Sequence, residues 1–157
     1  MIKYIEVNGM KFAYLEKGTG PLVLCYHGFP DSAYSFESLL STLANSGYRA
    51  IAPFLRGYSP TDIPVNKDYT AQALGEDIIS LIDAFGEKEA ILIGHDWGAV
   101  ASYAAAGLAP SRVKKLIILS IPHFRVIKFK PVWWLMCLLF QIPSVAEWVV
   151  RYNNYSF

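Results

Sequence analysis

The hydrophobic positions along the chain form short apolar runs that alternate with helically spaced segments. Four apolar runs are typical of strands buried on both faces, at 21–26, 48–54, 90–93 and 113–119. Three segments are typical of helices, with apolar residues three or four positions apart or rich in alanine, at 35–46, 70–85 and 97–109. This alternation predicts an α/β fold, with a mostly parallel sheet and helices on both faces.

The two ends of the chain depart from this alternation. Asn8-Gly9 separates apolar segments at 2–7 and 10–16, and this dipeptide predicts a β-hairpin that adds an antiparallel edge to the sheet. From residue 121 onward, aromatic residues and prolines replace the strand rhythm, and short helical pieces are expected. We therefore divide the chain into an α/β core at 1–120 and the start of a second, helical unit at 121–157.

Composition narrows the classes of partner. Hydrophobic residues make up 54% of the chain and charged residues 17%, which excludes a disordered protein. The 14 Lys and Arg nearly balance the 13 Asp and Glu, so we expect no nucleic-acid partner. No cysteine or histidine spacing suggests a metal, and neither a metal nor a cofactor is expected.

Cysteine use and hydropathy bear on location. Cys25 and Cys137 lie far apart and suggest no disulfide framework, which favours a reducing compartment. The N-terminus lacks the apolar core of a signal peptide. The longest apolar run, at 132–140, is well short of the ~20 residues of a membrane span. We therefore expect a cytoplasmic protein with no membrane span.

The most informative motif joins the strand at 90–93 to the helix at 97–109. Gly94 and Gly98 flank Asp96 by two positions on each side, as a sharp strand-to-helix turn requires. The apex of such a turn projects its side chain beside the helix N-terminus, where backbone N–H groups stabilise negative charge. Asp96 is therefore a candidate nucleophile, and the alternative is that it only caps the helix.

A second motif follows the first apolar strand. His27-Gly28-Phe29-Pro30 forms a glycine-containing turn that can aim the Phe29 N–H into the crevice at the carboxyl ends of the strands. The N–H of Trp97 is its expected partner in an oxyanion hole with two donors. The alternative is an ordinary turn without a role in chemistry.

Three stretches in this order, HGFPDSAYSFE, FLRGY and GHDWGA, resemble the α/β-hydrolase superfamily. Within it they are most similar to the epoxide hydrolase branch, with haloalkane dehalogenases close behind. The stretch FQIPSVAEW at 140–148 resembles the start of the helical cap of that branch. The resemblance implies an α/β-hydrolase fold truncated before its last strands, with an incomplete cap at 121–157.

The resemblance also implies a mechanism in which Asp96 attacks a saturated carbon of a small apolar substrate, such as an epoxide or an alkyl halide, and forms an alkyl ester. Water then hydrolyses the ester while Phe29 and Trp97 stabilise the oxyanion. Phe29 offers only its backbone N–H, which favours epoxides, whereas the Trp97 indole N–H could bind a halide. Haloalkane dehalogenase-like and esterase-like activities are the alternatives. Support for the elbow and the turn is assigned to His27, Gly28, Pro30, Gly94, His95 and Gly98.

Three departures from the family bear on activity. Its general-base histidine and acidic partner follow later strands, so we expect this chain to lack them, with His27, His95 and His123 in structural roles. The first cap tyrosine, expected near Met136, is absent. Phe54 stands where many relatives have aspartate. The candidates left for a ring-opening acid are Tyr152 and Tyr155.

The same departures leave two further expectations. A chain that ends at Phe157 without a base is either the N-terminal part of the hydrolase or a catalytically inactive fragment or pseudoenzyme. The strand at 113–119 would be an exposed apolar sheet edge, and such edges pair with other chains. We therefore expect the truncated chain to dimerise through this edge or to be poorly soluble.

Overall fold

The structure is a computed structural model that describes residues 1–123. The unit at Met1–Ile121 is compact. It contains strands β1 (Lys3–Val7), β2 (Met10–Lys17), β3 (Leu22–Tyr26), β4 (Arg49–Pro53), β5 (Ala90–His95) and β6 (Val113–Leu119). Its helices are α1 (Glu37–Asn45), α2 (Ala71–Ala84) and α3 (Trp97–Leu108), with 3-10 turns at Ala33–Phe36 and Pro110–Arg112.

Some expectations lie outside the described residues, and these stay predictions. They are the cap at 121–157 apart from its first three positions, the apolar run at 132–140, Cys137, Met136, Tyr152 and Tyr155. No helix within residues 1–123 is long and apolar enough to cross a membrane.

The six strands form one sheet in the order β1-β2-β4-β3-β5-β6. The strands β4, β3, β5 and β6 run parallel to one another, whereas β2 pairs antiparallel with both β1 and β4. The hairpin turn at Asn8 and Gly9 has positive φ at both residues, +53° and +70°, as a two-residue turn that follows the strand twist requires. The predicted α/β class, the mostly parallel sheet and the antiparallel edge are confirmed.

The apolar runs of the central strands arise because both faces of the sheet are covered. Every residue of β3 is buried. Leu22, Leu24 and Tyr26 pack into the cluster that also contains the apolar face of α2, whereas Val23 and Cys25 pack into the cluster beneath α1. Because successive side chains of a strand point to opposite faces, an uninterrupted apolar run is what two covered faces require.

The strand β6 forms one edge of the sheet within the described residues. It pairs with β5 along its length, and Ile117 and Leu119 remain 44% and 46% exposed. The exposed apolar edge that the sequence predicts is therefore present, while pairing of two chains through it stays a prediction.

A buried ion pair anchors the loop that follows β4. Arg56 donates to both carboxylate oxygens of Asp77 on α2, from Nε and Nη2, each at 2.6 Å. Its Nη1 also donates to the Asp68 carbonyl at 2.6 Å. Both side chains of the pair are more than nine-tenths buried. The bidentate geometry fixes the loop against α2 and so sets the position of the residues that follow Arg56.

Candidate active site

The turn between β5 and α3 is sharp and strained. Asp96 has φ 51° and ψ −117°, a conformation that L-residues rarely adopt and that costs about 1–3 kcal/mol. A Cβ at Gly98 would overlap the Tyr26 carbonyl, and one at Gly94 would lie 2.5 Å from the Gly98 carbonyl oxygen. Glycines two positions before and after Asp96 are therefore required by the close approach of β3, β5 and α3.

The Asp96 side chain bonds across to the turn after β3 and does not cap α3. It makes no capping hydrogen bond, because a capping residue needs the extended backbone that Asp96 lacks. Its Oδ1 accepts a hydrogen bond from the Phe29 N–H at 3.0 Å. Within residues 1–123, Oδ2 has no hydrogen-bond partner. The capping alternative is therefore wrong. The Phe29 N–H fixes one carboxylate oxygen of Asp96, and the other oxygen has no hydrogen bond to the described residues.

The turn at His27-Gly28-Phe29-Pro30 is built around this contact. A Cβ at Gly28 would overlap the Asp96 side chain, so only glycine lets the turn approach the carboxylate. The Gly28 carbonyl accepts from the Asp31 N–H at 3.0 Å, which closes the turn, and the Phe29–Pro30 peptide bond is cis. The alternative of an ordinary turn does not explain an N–H directed at a carboxylate.

His27 lies beneath this turn and is fully buried. Its Nε2 accepts from the Leu55 N–H at 3.1 Å, and its Nδ1 lies 3.1 Å from the Gly28 carbonyl oxygen. Its ring packs edge-on against Tyr58 at 4.8 Å between centroids. Burial lowers the pKa of His27, which keeps the imidazole neutral. Both ring nitrogens are occupied by the backbone, so His27 is not placed to activate a water.

Two exposed aromatic residues belong to the turns that meet at Asp96. Phe29, whose N–H bonds to Asp96, is 54% exposed, and Trp97, the next residue along the chain, is 49% exposed. Trp97 also lines a cavity of about 120 Å³, together with Leu55, Arg56, Tyr58, Tyr69 and Leu74. The Trp97 N–H begins α3 and has no hydrogen-bond partner within residues 1–123. Its convergence with the Phe29 N–H on one oxygen stays a prediction.

Tyr58 is a residue of this site that the sequence argument left without a role. It is half-buried, and burial first and the Asp96 charge second raise its pKa. The available signal was its place in FLRGY, two positions after the anchored Arg56. Phe54, the departure from the family pattern in the same loop, is buried and packs edge-on against Tyr34 at 5.4 Å. The structure gives Phe54 a packing role and no chemical one.

The other histidines occupy different positions. His95 is half-buried at the end of β5, and His123 is exposed at the last described position. Within residues 1–123, no group of three or more His, Cys, Asp or Glu side chains is arranged to hold a metal ion.

Comparison with known proteins is consistent with this architecture. Residues 21–136 match the family described as the α/β hydrolase fold. The chain is 40% identical over 154 residues to epoxide hydrolase 3 of Siraitia grosvenorii, covering 91% of this chain and 48% of that protein. It is 36% identical to the AB hydrolase superfamily protein YfhM of Bacillus subtilis, covering 98% of this chain and 57% of that protein.

Solved structures give the same result. The crystal structure of an epoxide hydrolase from Vigna radiata superposes with a TM-score of 0.76 at 41% identity, covering 79% of this chain and 39% of that one. The chain spans about half the length of the curated relatives it matches. With the sheet order, the strained elbow and these matches together, the chain belongs to the α/β-hydrolase fold family and is similar to its epoxide hydrolases.

Proposed function

We propose that this chain carries the nucleophile and part of the oxyanion hole of an epoxide hydrolase-like enzyme. In the first step an Asp96 oxygen forms a bond to a saturated carbon of a small epoxide. The ring C–O bond breaks, and the ring oxygen leaves with the electron pair and takes a proton from a neighbouring acid. In the second step water attacks the Asp96 carbonyl carbon and releases a diol.

One observation carries the proposal: the Phe29 N–H donates to Asp96 Oδ1 and leaves Oδ2 open. The held oxygen is the one on which negative charge develops during ester hydrolysis, and a preorganised donor there stabilises that charge. Oδ2 is then the attacking oxygen. The exposed apolar surfaces of Phe29 and Trp97 suit a small apolar substrate. The epoxide hydrolases among the relatives and solved structures support the same substrate class.

The test is covalent trapping of the chain with a reactive aryl epoxide, followed by intact mass measurement. We expect the mass to rise by one epoxide and the adduct to map to Asp96. The matched control is Asp96→Asn, which keeps the size of the side chain but removes the attacking carboxylate. A parallel incubation with an alkyl bromide tests the dehalogenase alternative, and an aryl ester tests the esterase alternative. An adduct that persists in Asp96→Asn would contradict the proposal.

Turnover requires a base, and we propose that this chain does not supply one. His27 uses both ring nitrogens in backbone contacts, with the Gly28 carbonyl and the Leu55 N–H. The ester should therefore accumulate. Steady diol production by the purified chain would contradict this part of the proposal and would also exclude the inactive-fragment alternative.

Cys25 and the edge strand β6 bear on the cellular location of the chain and on its association with a second copy. Cys25 is a free, buried thiol, and burial raises its pKa to about 12, so it is inert. An unpaired thiol fits the reducing environment of the cytoplasm. We also propose that two chains associate through β6, whose Ile117 and Leu119 are exposed on the sheet edge.

A further inference from the structure

A single peptide group links the buried histidine to the candidate nucleophile. The carbonyl of Gly28 and the N–H of Phe29 belong to the same peptide unit, and this unit is trans. In a trans peptide the C=O and the N–H point in opposite directions. The carbonyl points at His27 Nδ1, at 3.1 Å, and the N–H points at Asp96 Oδ1, at 3.0 Å.

The protonation state of His27 follows from its other contact. The Leu55 N–H can only donate, so His27 Nε2 must be the unprotonated acceptor of that bond at 3.1 Å. In the neutral ring the proton then resides on Nδ1, which therefore donates to the Gly28 carbonyl. Full burial of the imidazole favours this neutral form over the imidazolium.

We infer that His27 is a positioning residue, whose Nδ1–H tautomer orients and polarises the peptide group that supplies the oxyanion donor. A hydrogen bond accepted by a peptide carbonyl strengthens the donor character of the N–H on the same unit. The inference rests on the proposed function for its catalytic meaning. Its structural content, the coupling of His27 to the Phe29 N–H, does not depend on any reaction.

The turn has a second, independent restraint. The Asp31 N–H also donates to the Gly28 carbonyl, at 3.0 Å. Loss of His27 should therefore weaken the oxyanion donor without releasing the turn. From the size of one neutral hydrogen bond, we expect the step that uses the donor to slow by roughly two- to tenfold.

Two substitutions separate the two ring nitrogens. In His27→Asn the side-chain amide can reach the position of Nδ1 and keep the bond to the Gly28 carbonyl, while the acceptor for Leu55 is lost. In His27→Gln the amide reaches the position of Nε2, keeps an acceptor for Leu55 and loses the donor to Gly28. If His27 only fills space, both substitutions should change the Phe29 N–H to a similar extent. If His27 positions the donor, only His27→Asn should keep the wild-type hydrogen bond from the Phe29 N–H to Asp96.

The direct readout is the amide proton shift of Phe29 in isotope-labelled chain. In wild type we expect a downfield shift, because the Phe29 N–H donates to a carboxylate oxygen. We expect His27→Asn to keep this downfield shift and His27→Gln to reduce it, because the turn stays closed but its N–H is a weaker donor. The imidazole nitrogen shifts of unmodified chain provide a measurement that needs no variant, and they should report a proton on Nδ1 and none on Nε2 at neutral pH.

The chemical readout is decay of the trapped Asp96 ester at alkaline pH, where hydroxide replaces the absent base. We expect roughly two- to tenfold slower decay in His27→Gln and near-wild-type decay in His27→Asn. An unchanged Phe29 signal in His27→Gln, or a proton on Nε2 in wild type, would overturn the inference. Absence of any adduct in wild type would instead overturn the proposed function, because the Phe29 signal requires no epoxide.

Discussion

Removal of the Asp77 carboxylate is the sharpest test of how the site is held in place. Asp77 accepts two hydrogen bonds from Arg56, each at 2.6 Å, and a third from Asn8 Nδ2 at 3.2 Å. In Asp77→Ala the Arg56 guanidinium keeps its bonds to two backbone carbonyls but loses its only buried counter-charge within the described residues. The substitution therefore leaves an uncompensated charge more than nine-tenths buried.

The magnitude follows from how far water can reach that charge. Breaking a buried pair by removing one partner costs about 3–5 kcal/mol. Arg56 also lines a groove of about 750 Å³ beside the β1–β2 hairpin, so water can hydrate part of the guanidinium. We therefore expect the lower end of the range, about 3 kcal/mol, which for a chain of this length lowers the melting temperature by roughly 6–12 °C.

The assay is thermal and urea unfolding followed by circular dichroism. The matched control is Glu76→Ala, one residue earlier on α2, whose carboxylate is exposed and accepts from Gln72 at 2.9 Å. We expect the control to change the free energy of unfolding by less than about 0.5 kcal/mol. If Asp77→Ala and Glu76→Ala were equally stable, the loop after β4 would not depend on the ion pair, and our account of its position would be wrong.

Three further predictions concern the elbow, the buried histidine and the sheet edge. Gly98→Ala places a methyl group against the Tyr26 carbonyl and should lower the free energy of unfolding by about 1–3 kcal/mol in urea titrations. The control is Gly107→Ala on the same helix, where the methyl group meets open space and the effect should be neutral or stabilising by up to about 1 kcal/mol. Burial lowers the pKa of His27 below its unfolded value of about 6.5, although the hydrogen bond with the Gly28 backbone and, less strongly, the Asp31 charge oppose this shift. The contribution of His27 to stability is therefore present above pH 6.5 and is lost as pH falls towards the folded pKa. Urea midpoints at pH 7.5 and 5 should show that loss in wild type and a smaller one in His27→Asn. Ile117→Lys should shift the chain towards monomer in size-exclusion chromatography, and an unchanged elution volume would argue against association through β6.

Much of the fold could be read from the sequence because its signals are local. An apolar run such as 90–93 and a dipeptide such as Asn8-Gly9 each determine one element, and the structure contains both. The observed element boundaries differ from the predicted ones where a 3-10 turn replaces the first turn of an α-helix. The helix predicted at 35–46 begins with a 3-10 turn at Ala33–Phe36, and α1 follows from Glu37.

The site was less accessible to sequence reasoning, because its contacts span long separations. Glycine spacing around Asp96 predicts a tight turn, but it does not distinguish a capping carboxylate from one that bonds to Phe29, 67 residues earlier. The pairing of Arg56 with Asp77 and the packing of Tyr58 on His27 also depend on how α2 and the loop after β4 come together in space. No periodicity along the chain encodes such contacts.

The backbone of Asp96 has a consequence for how such a chain changes over generations. At φ 51° an aspartate is harder to accommodate than a glycine, so a change to glycine there would relieve about 1–3 kcal/mol of conformational energy. Selection for thermal stability alone would consequently favour variants in which Asp96 is replaced by glycine and the carboxylate is lost. Stability and reactivity pull in opposite directions at this position, and laboratory evolution for hardier variants should keep residue 96 fixed.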